Sequence, residues 1–128
     1  MPVTVLVADD EEAIRSMLAL TLAEDHHTVL LAKDGDEALS LAKSANPDVI
    51  FLDVLMPGLS GYQVCRILKH DPKTAHIKII MLTAMAQEAD HRRAQEAGAD
   101  DYFVKPFSLM ALLEKINTLT LPPGKSTR

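Results

Sequence analysis

The sequence predicts an α/β fold in which a single parallel sheet carries helices on both faces. Five short apolar runs alternate with five segments of helical composition along the 128 residues, and this alternation is typical of parallel sheets with crossover helices. The third run, residues 49–52, has four consecutive large apolar residues, which indicates a strand buried on both faces. Pro57-Gly58 then forces a turn shortly after this strand.

The first half of the chain contains two strand–helix units. Residues 3–8 are apolar and β-branched and predict the first strand, which the acidic stretch 9–12 separates from a helix. Residues 28–32 predict the second strand, and Asp34 is placed to cap the next helix. The Asn-Pro pair at 46–47 is expected to end that helix. The predicted apolar stripes are Ile14, Met17, Leu18, Thr21 and Leu22 in the first helix, and Ala38, Leu41, Ala42 and Ala45 in the second.

The third unit is built around the central strand at residues 49–52. After the Pro-Gly turn, Ser60 is placed to cap a helix, and the stretch 71–74, which contains a proline, is expected to end it. Residues 77–82 predict the fourth strand. The third helix is predicted to bury Val64, Ile67 and Leu68, with Cys65 as a small residue of the core or its boundary.

The last two helices differ sharply in composition. Residues 87–97 are helical in composition but carry few large apolar residues, so this fourth helix is expected to be one of the more mobile elements. Gly98 is a suitable left-handed terminator for it. Residues 101–104 predict the fifth strand, and Ser108 is placed to cap the last helix. The apolar stripe of that helix is Leu109, Leu112, Leu113, Ile116 and Leu119.

These elements predict a doubly wound, five-stranded parallel sheet of the flavodoxin-like class, with strand order 2-1-3-4-5 and right-handed crossovers. The expected domain covers residues 1–121. Residues 122–128 include a Pro-Pro-Gly sequence and are expected to form a flexible tail or the stub of a linker.

Composition narrows the class of protein. A net charge of −5 argues against a nucleic-acid-binding surface. The sole cysteine, Cys65, cannot form an internal disulfide and fits a reducing compartment. Only six residues of apolar character, 3–8, precede the acids at Asp9, too few for a signal peptide or a membrane span. We therefore expect a soluble cytoplasmic protein that contacts neither nucleic acid nor membrane directly.

Polar side chains follow four of the five predicted strands. Because parallel strands end at the same edge of a sheet, these side chains are expected to meet there. Strands 1, 3, 4 and 5 are neighbours in the predicted order, whereas the peripheral strand 2 contributes nothing comparable. The residues at the four strand ends are Asp9 and Asp10, Asp53, Thr83 and Lys105.

Three carboxylates at one edge repel each other unless a cation or a proton neutralises them. Oxygen ligands suit a hard ion such as Mg²⁺, and the lack of a His or Cys cluster argues against zinc. A metal ion, a hydroxyl at Thr83 and a positive charge at Lys105 suit the oxygens of a phosphoryl group in transfer. Asp53, alone at the end of the central strand, is the natural acceptor, because a carboxylate can attack phosphorus to give an aspartyl phosphate.

Each of these residues also has a purely structural explanation. Asp53 can start the turn before Pro-Gly, Thr83 can bind the backbone, and Lys105 can be a solvated strand end. Tyr102 can be a core aromatic whose hydroxyl reaches the surface. Five fitting residues at four strand ends nevertheless favour a common site.

With these motifs, the chain resembles the receiver domain of two-component response regulators over residues 3–120. The resemblance implies that Asp53 accepts a phosphoryl group from a phosphohistidine on a sensor histidine kinase or a phosphotransfer protein. It also implies a cis peptide bond that precedes Pro106 and aims Lys105 into the site. The matching motifs are Asp9-Asp10, Asp53 with Met56-Pro57 and Gly61, Thr83-Ala84, and Tyr102 with Lys105-Pro106-Phe107.

The resemblance assigns a role to each site residue. Asp10 and Asp53 would ligate Mg²⁺ together with the backbone carbonyl of Leu55, while Asp9 would act largely through water. Lys105 would contact the phosphoryl group and Asp53. Thr83 would bond a phosphoryl oxygen.

A conformational switch is implied as well. Movement of Thr83 toward the phosphoryl group would free space into which the ring of Tyr102 turns, which would remodel the surface of helix 4, strand 5 and helix 5. That surface would then signal to a downstream protein or an effector domain. Leu55 and Met85, both apolar and beside the site, are expected to restrict attacking water and lengthen the life of the acyl phosphate.

Three other functions are compatible with the same fold. A flavin-binding protein would need a phosphate-cradling loop after strand 1, where acids stand instead. A Mg²⁺-dependent phosphatase that forms an aspartyl phosphate would need a second acid two residues after Asp53, where the chain has Leu55. A receiver-like module that is never phosphorylated is disfavoured by the full residue set. The sequence leaves open the cognate kinase, the output, the oligomeric state and whether the chain is a stand-alone regulator or an excised domain.

Overall fold

The structure, a computed structural model, describes residues 2–120. In this part of the chain five strands and five helices alternate without exception, as the sequence predicts. The strands are β1 (Thr4–Ala8), β2 (Thr28–Ala32), β3 (Val49–Asp53), β4 (Lys78–Thr83) and β5 (Asp101–Val104). The helices are α1 (Glu12–Glu24), α2 (Gly35–Ala45), α3 (Gly61–Lys69), α4 (Glu88–Ala97) and α5 (Leu109–Leu119).

The sheet has the predicted order β2-β1-β3-β4-β5, and every neighbouring pair is parallel. Its register aligns the carboxyl ends of the central strands, because Ala8 pairs with Leu52 and Asp53 pairs with Leu82. Asp9, which follows β1, therefore lies beside Asp53, the last residue of β3. This is the edge at which the sequence places the functional side chains.

The two faces of the sheet bury separate cores, as the two-residue alternation of a strand requires. Leu6, Ile50 and Met81 pack on one face with the buried side chains of α2, α3 and α4. Val7 and Phe51 pack on the other face with α1 and α5. All five residues of β3 are buried, which confirms the central strand that the apolar run predicts.

The predicted helix caps are confirmed. The side chains of Asp34, Ser60 and Ser108 accept hydrogen bonds from backbone N–H groups in the first turns of α2, α3 and α5. Gly98 ends α4 with φ of +96°, a conformation that side chains other than glycine's rarely adopt. The predicted apolar stripes are wider than the buried ones, since Met17 and Ile67 each remain 38% exposed at the margins of their helices.

The fourth helix is anchored as thinly as its composition indicates. Within Glu88–Ala97, the buried apolar side chains are those of Ala94 and Ala97. No helix in the described range 2–120 is long and apolar enough to cross a membrane. The predicted tail at 122–128 lies outside the described residues.

Candidate functional site

The carboxyl edge of the sheet brings three carboxylates together. One oxygen each from Asp9, Asp10 and Asp53 can be chosen so that all lie within 4.8 Å of one another. Asp9 and Asp53 are buried, 0% and 5% exposed, whereas Asp10 is exposed. The prediction that these side chains converge is confirmed by their positions.

Lys105 reaches into the same cluster from the end of β5. Its Nζ lies 2.9 Å from Asp9 Oδ2, 3.1 Å from Glu11 Oε1 and 3.5 Å from Asp53 Oδ2. The peptide bond between Lys105 and Pro106 is cis, as the family resemblance implies. The backbone N–H of Lys105 also donates to Thr83 O at 2.7 Å, which fixes β5 to the end of β4.

Glu11 is the member of this cluster that sequence reasoning missed. An acid in this position, immediately before α1, is also explained by a favourable interaction with the helix dipole. In the structure it takes one of the three ion pairs of Lys105, and its backbone N–H donates to Asp9 Oδ1 at 2.9 Å. In the sequence, the position of Glu11 next to Asp9-Asp10 was the signal that could have identified it. Only the folded chain brings Lys105 to Glu11.

The electrostatics of the cluster leave an excess of negative charge around Asp53. Burial first, and then the neighbouring Asp9, raise the pKa of Asp53 from 3.8 to about 7, although Lys105 acts in the opposite direction. Burial acts to lower the pKa of Lys105, but the hydrogen bonds to Asp9 and Glu11 outweigh it and raise that pKa. The lysine is therefore charged at neutral pH, and its single charge does not offset the surrounding carboxylates.

This donor set fits a hard divalent cation. The available side-chain ligands are carboxylate oxygens, and Mg²⁺ characteristically binds one or two such groups with waters and a phosphate oxygen. A cation there would also relieve the repulsion that raises the pKa of Asp53. Leu55 lines the same depression, which has a volume of about 260 Å³, together with Asp10, Glu11, Asp53, Thr83, Ala84 and Lys105.

The loop between β3 and α3 is held close to Asp53 by a glycine. A Cβ atom on Gly61 would lie 2.2 Å from the backbone oxygen of Asp53, so a larger residue has no room there. The Gly61 N–H donates to Val54 O at 2.8 Å. The glycine of the sequence motif thus lets α3 begin directly beneath the acidic cluster.

Thr83 and Tyr102 are linked through the backbone of Met85. Thr83, 1% exposed, accepts a hydrogen bond at Oγ1 from the Met85 N–H at 3.1 Å. The Tyr102 hydroxyl donates to the Met85 carbonyl oxygen, and its ring packs on His91 with the ring centroids 4.1 Å apart. The sequence led us to expect this ring to turn inward on phosphorylation; in the structure the ring is half-buried and its hydroxyl is bonded to the backbone of the β4–α4 loop.

Comparison with known proteins is consistent with this geometry. The profile of the response regulator receiver domain matches residues 5–117. Response regulator PleD of Caulobacter vibrioides is 40% identical over 120 residues, which cover 94% of this chain and 26% of that protein. Response regulator MprA of Mycolicibacterium vanbaalenii is 43% identical over 119 residues, which cover 93% of this chain and 51% of that protein. The chain thus spans about a quarter to a half of the length of these curated relatives.

Solved structures share the whole fold. The chemotaxis protein CheY4 of Vibrio cholerae has a TM-score of 0.86 at 32% identity and covers 93% of this chain and 99% of its own. A response regulator from Chloroflexus aurantiacus has a TM-score of 0.87 at 35% identity, with 93% of this chain and 98% of its own covered. Sheet order, acidic edge and sequence similarity therefore agree that this chain belongs to the receiver domains of two-component response regulators.

Proposed function

We propose that Asp53 accepts a phosphoryl group from a phosphohistidine on a sensor histidine kinase or a phosphotransfer protein. The observation that carries this proposal is the position of Asp53: its carboxylate ends the central strand inside an acidic cluster, 3.5 Å from the Lys105 ammonium. Since response regulators receive their signal in this way, the family membership supports the same assignment.

The metal ligands of the proposal are Asp10, Asp53 and the backbone carbonyl of Leu55, with Asp9 acting through water. Bound Mg²⁺ would supply positive charge to the oxygens of the transferred group. The exposed position of Asp10 and the half-open depression beside it suit an ion that retains several waters. Asp9, already 2.9 Å from Lys105, is better suited to orient the lysine than to replace one of those waters.

Phosphoryl transfer makes one bond and breaks one. A carboxylate oxygen of Asp53 attacks phosphorus, and the bond between phosphorus and the donor imidazole nitrogen breaks, with the electron pair leaving on nitrogen. Lys105 stabilises the charge on the phosphoryl oxygens, and the Thr83 hydroxyl donates to one of them. In the structure the oxygen of the same hydroxyl accepts a hydrogen bond from the Met85 N–H, which leaves its hydrogen free to donate.

The same residues would govern loss of the phosphoryl group. Water attacks phosphorus, the bond to the Asp53 oxygen breaks, and free carboxylate and inorganic phosphate result. The side chain of Leu55, 62% exposed, lines the depression at Asp53, and half-buried Met85 is bonded through its backbone N–H to Thr83 Oγ1. We propose that both slow this step, so that the chain turns over its own phosphorylated form slowly.

Output would pass through the face formed by α4, β5 and α5 to a downstream protein or an effector domain. α4 buries few apolar side chains, and its His91 packs on Tyr102. A structural change at Asp53 would therefore displace α4 at a small cost in free energy. We place the protein in the cytoplasm, where a reducing environment suits its single buried thiol.

Mass spectrometry after incubation with acetyl phosphate and Mg²⁺ tests the central step. The wild type should gain the mass of one phosphate, and Asp53→Asn should gain none. A Glu114→Gln variant, altered at an exposed acid on α5, controls for the loss of one charge. Equal labelling of wild type and Asp53→Asn would contradict the proposal, and rapid turnover of a generic phosphate ester would favour a phosphatase instead.

A further inference from the structure

Three carboxylates surround the ammonium group of Lys105. The group carries three N–H donors, and the oxygens nearest its nitrogen belong to Asp9 at 2.9 Å, Glu11 at 3.1 Å and Asp53 at 3.5 Å. The lysine side chain is only 15% exposed, so water has little access to the ammonium group. A phosphoryl oxygen that binds Lys105 must therefore replace one of these three partners.

Asp9 and Asp53 are poorly suited to release the lysine. Asp9 is fully buried, and its second oxygen, Oδ1, accepts a hydrogen bond from the Glu11 N–H at 2.9 Å. A turn of this side chain would leave a buried carboxylate without its partners, which is costly. Asp53 is the proposed phosphoryl acceptor, so Lys105 has to stay close to it during the transfer.

Glu11 differs from both in its surroundings. Its side chain is 61% exposed, so its carboxylate can return to water when the ion pair opens. Glu11 is also the N-cap residue of α1, but within the described chain its side chain makes no capping hydrogen bond. The corresponding side chains of Asp34, Ser60 and Ser108 do cap their helices. The carboxylate of Glu11 is therefore engaged by Lys105 rather than by its own helix.

The position of Glu11 also places its charge beside the incoming group. It lines the depression of about 260 Å³ that Asp53 and Thr83 line as well. A phosphoryl group on Asp53 brings about 1.5 to 2 negative charges into this space, and the Glu11 carboxylate repels them. Glu11 thus opposes the phosphoryl group through its charge and through its contact with the ammonium group.

We propose that Glu11 is a positioning residue that restrains Lys105 in the unphosphorylated protein and competes for it with the phosphoryl group. On transfer, one N–H of the ammonium group leaves the Glu11 carboxylate and binds a phosphoryl oxygen, while Asp9 and Asp53 remain its partners. Glu11 then turns into solvent. The inference rests on the proposed function, because it needs Asp53 to carry the phosphoryl group. Its consequence is that Glu11 favours the unphosphorylated state.

Three variants separate the contact of Glu11 from its charge. Glu11→Gln removes both the charge and the ion pair. Glu11→Asp keeps the charge, but its side chain is one methylene shorter and an aspartate at an N-cap binds the first turn of its own helix, so the contact with Lys105 is lost. Glu12→Gln is the matched control, since it removes an exposed charge at the next residue. Glu12 is not among the ion-pair partners of Lys105 in the described chain.

Beryllofluoride in saturating Mg²⁺ is the first probe, since it mimics a phosphoryl group on an aspartate. Its dissociation constant is measured from the amide resonances of residues around Asp53, at a Mg²⁺ concentration shown to saturate each variant. Glu11→Gln and Glu11→Asp should each bind it about two- to fivefold more tightly than the wild type, as expected for the loss of one competing ion pair with an exposed partner. The gain in Glu12→Gln should be clearly smaller.

Charge alone would give a different order of affinities. Glu11→Asp would then bind beryllofluoride like the wild type, and Glu11→Gln and Glu12→Gln would gain equally. Either result would overturn the inference. Weaker binding in Glu11→Gln or Glu11→Asp would also overturn it, because Glu11 would then assist Lys105 rather than compete for it.

The ammonium group of Lys105 reports the exchange of partners directly. In protein with ¹⁵N-labelled lysine, its N–H signal is identified by its loss in Lys105→Arg. Without metal or beryllofluoride, its hydrogens should exchange with water faster in Glu11→Gln and Glu11→Asp than in the wild type and Glu12→Gln. With beryllofluoride bound, the four rates should converge, because Glu11 no longer takes part. Rates that stay as far apart in the bound state would overturn the inference.

The remaining outcomes separate the inference from the proposed function. Beryllofluoride that binds the wild type and all three variants with the same affinity would overturn the inference alone. Amide resonances around Asp53 that do not change at all in the wild type with Mg²⁺ and beryllofluoride would overturn the proposed function, and the inference would fall with it.

Discussion

Asp53 is the residue at which stability and the proposed function conflict. Its carboxylate is buried beside Asp9, and the resulting pKa of about 7 means that folding disfavours its charged form. A group whose pKa is higher in the folded than in the unfolded chain stabilises the fold in its protonated form. Between about pH 4 and pH 7 this contribution is lost progressively as the pH rises.

Replacement of Asp53 by Asn should therefore stabilise the metal-free protein. At pH 8 we expect the free energy of unfolding to rise by on the order of 2–4 kcal/mol, because the variant removes a charge that the fold disfavours. The gain should shrink as the pH falls toward 4. Urea unfolding at pH 8, 6 and 4.5 measures it, with the exposed Glu114→Gln as the control; a gain that grows on acidification would contradict the assignment.

Leu55 and Met85 are proposed to restrict the access of water to Asp53. Leu55→Glu or Met85→Asn should accelerate loss of the phosphoryl group severalfold, because a polar side chain there can hold the attacking water. The effect should stay below the roughly 10²–10⁴-fold of a well-placed general base. The decay of phosphorylated protein over time, followed by mass spectrometry, measures the rate, and unchanged decay in both variants would count against this role.

Site residues that lie at the ends of strands could be predicted from the sequence. Residues that join the site only through tertiary contacts could not. Asp9, Asp53 and Lys105 follow apolar runs, so parallel pairing alone is enough to bring them together. Glu11 carries no such signal, because its partner Lys105 lies far away in the chain. Its role in the acidic cluster depends on a distance that only the folded chain defines.

At the level of the elements, α4 differs from the other helices in what holds it. Its C-terminus depends on Gly98 in a left-handed conformation, and a Cβ there would also meet Lys69 Cγ at 3.0 Å. The amino-acid composition of residues 87–97 was enough to predict that α4 buries few large apolar side chains. The hydrogen bond of the Tyr62 hydroxyl to the Asp90 carbonyl oxygen and the packing of Tyr102 on His91 were not predictable, since they join α4 to residues of α3 and β5.

Gly98→Ala should lower the free energy of unfolding by about 1 kcal/mol or somewhat more, because alanine is strained at a positive φ. Asn46→Gly is the matched control at the left-handed C-cap of α2, where φ is 49°. That change should alter stability by only a few tenths of a kcal/mol. Urea unfolding measures both variants, and equal effects would contradict the conformational explanation.

At the scale of the whole molecule, the sheet was the most predictable feature. Alternating strands and helices leave few ways to build a parallel sheet, and the buried run at β3 identifies its centre. The carboxyl edge then follows from topology, and the register places Asp9 beside Asp53. Topology does not define the charge balance at that edge, because this balance depends on how close the Lys105 ammonium lies to the carboxylates.

Binding of Mg²⁺ should stabilise the whole domain, since a ligand that binds only the folded chain adds RT ln(1 + [L]/Kd) to its stability. We expect the melting temperature to rise with Mg²⁺ concentration at pH 8, and to rise much less in Asp10→Asn, which removes an exposed proposed ligand. Ca²⁺-free buffers and an equal ionic strength of NaCl provide the control. An identical rise with NaCl would show ordinary screening rather than a bound ion.

The side chains that α4 buries are smaller than those of α1 and α5, and this difference bears on how receiver surfaces diversify. α1 and α5 bury leucine and isoleucine, each worth about 1.5–3 kcal/mol, whereas α4 buries two alanine methyl groups of about 0.8 kcal/mol each. In such a domain α4 can therefore be displaced, shortened or changed in sequence with little loss of stability of the fold. New partners can then be acquired on that side of the domain while the phosphorylation chemistry beneath it is retained.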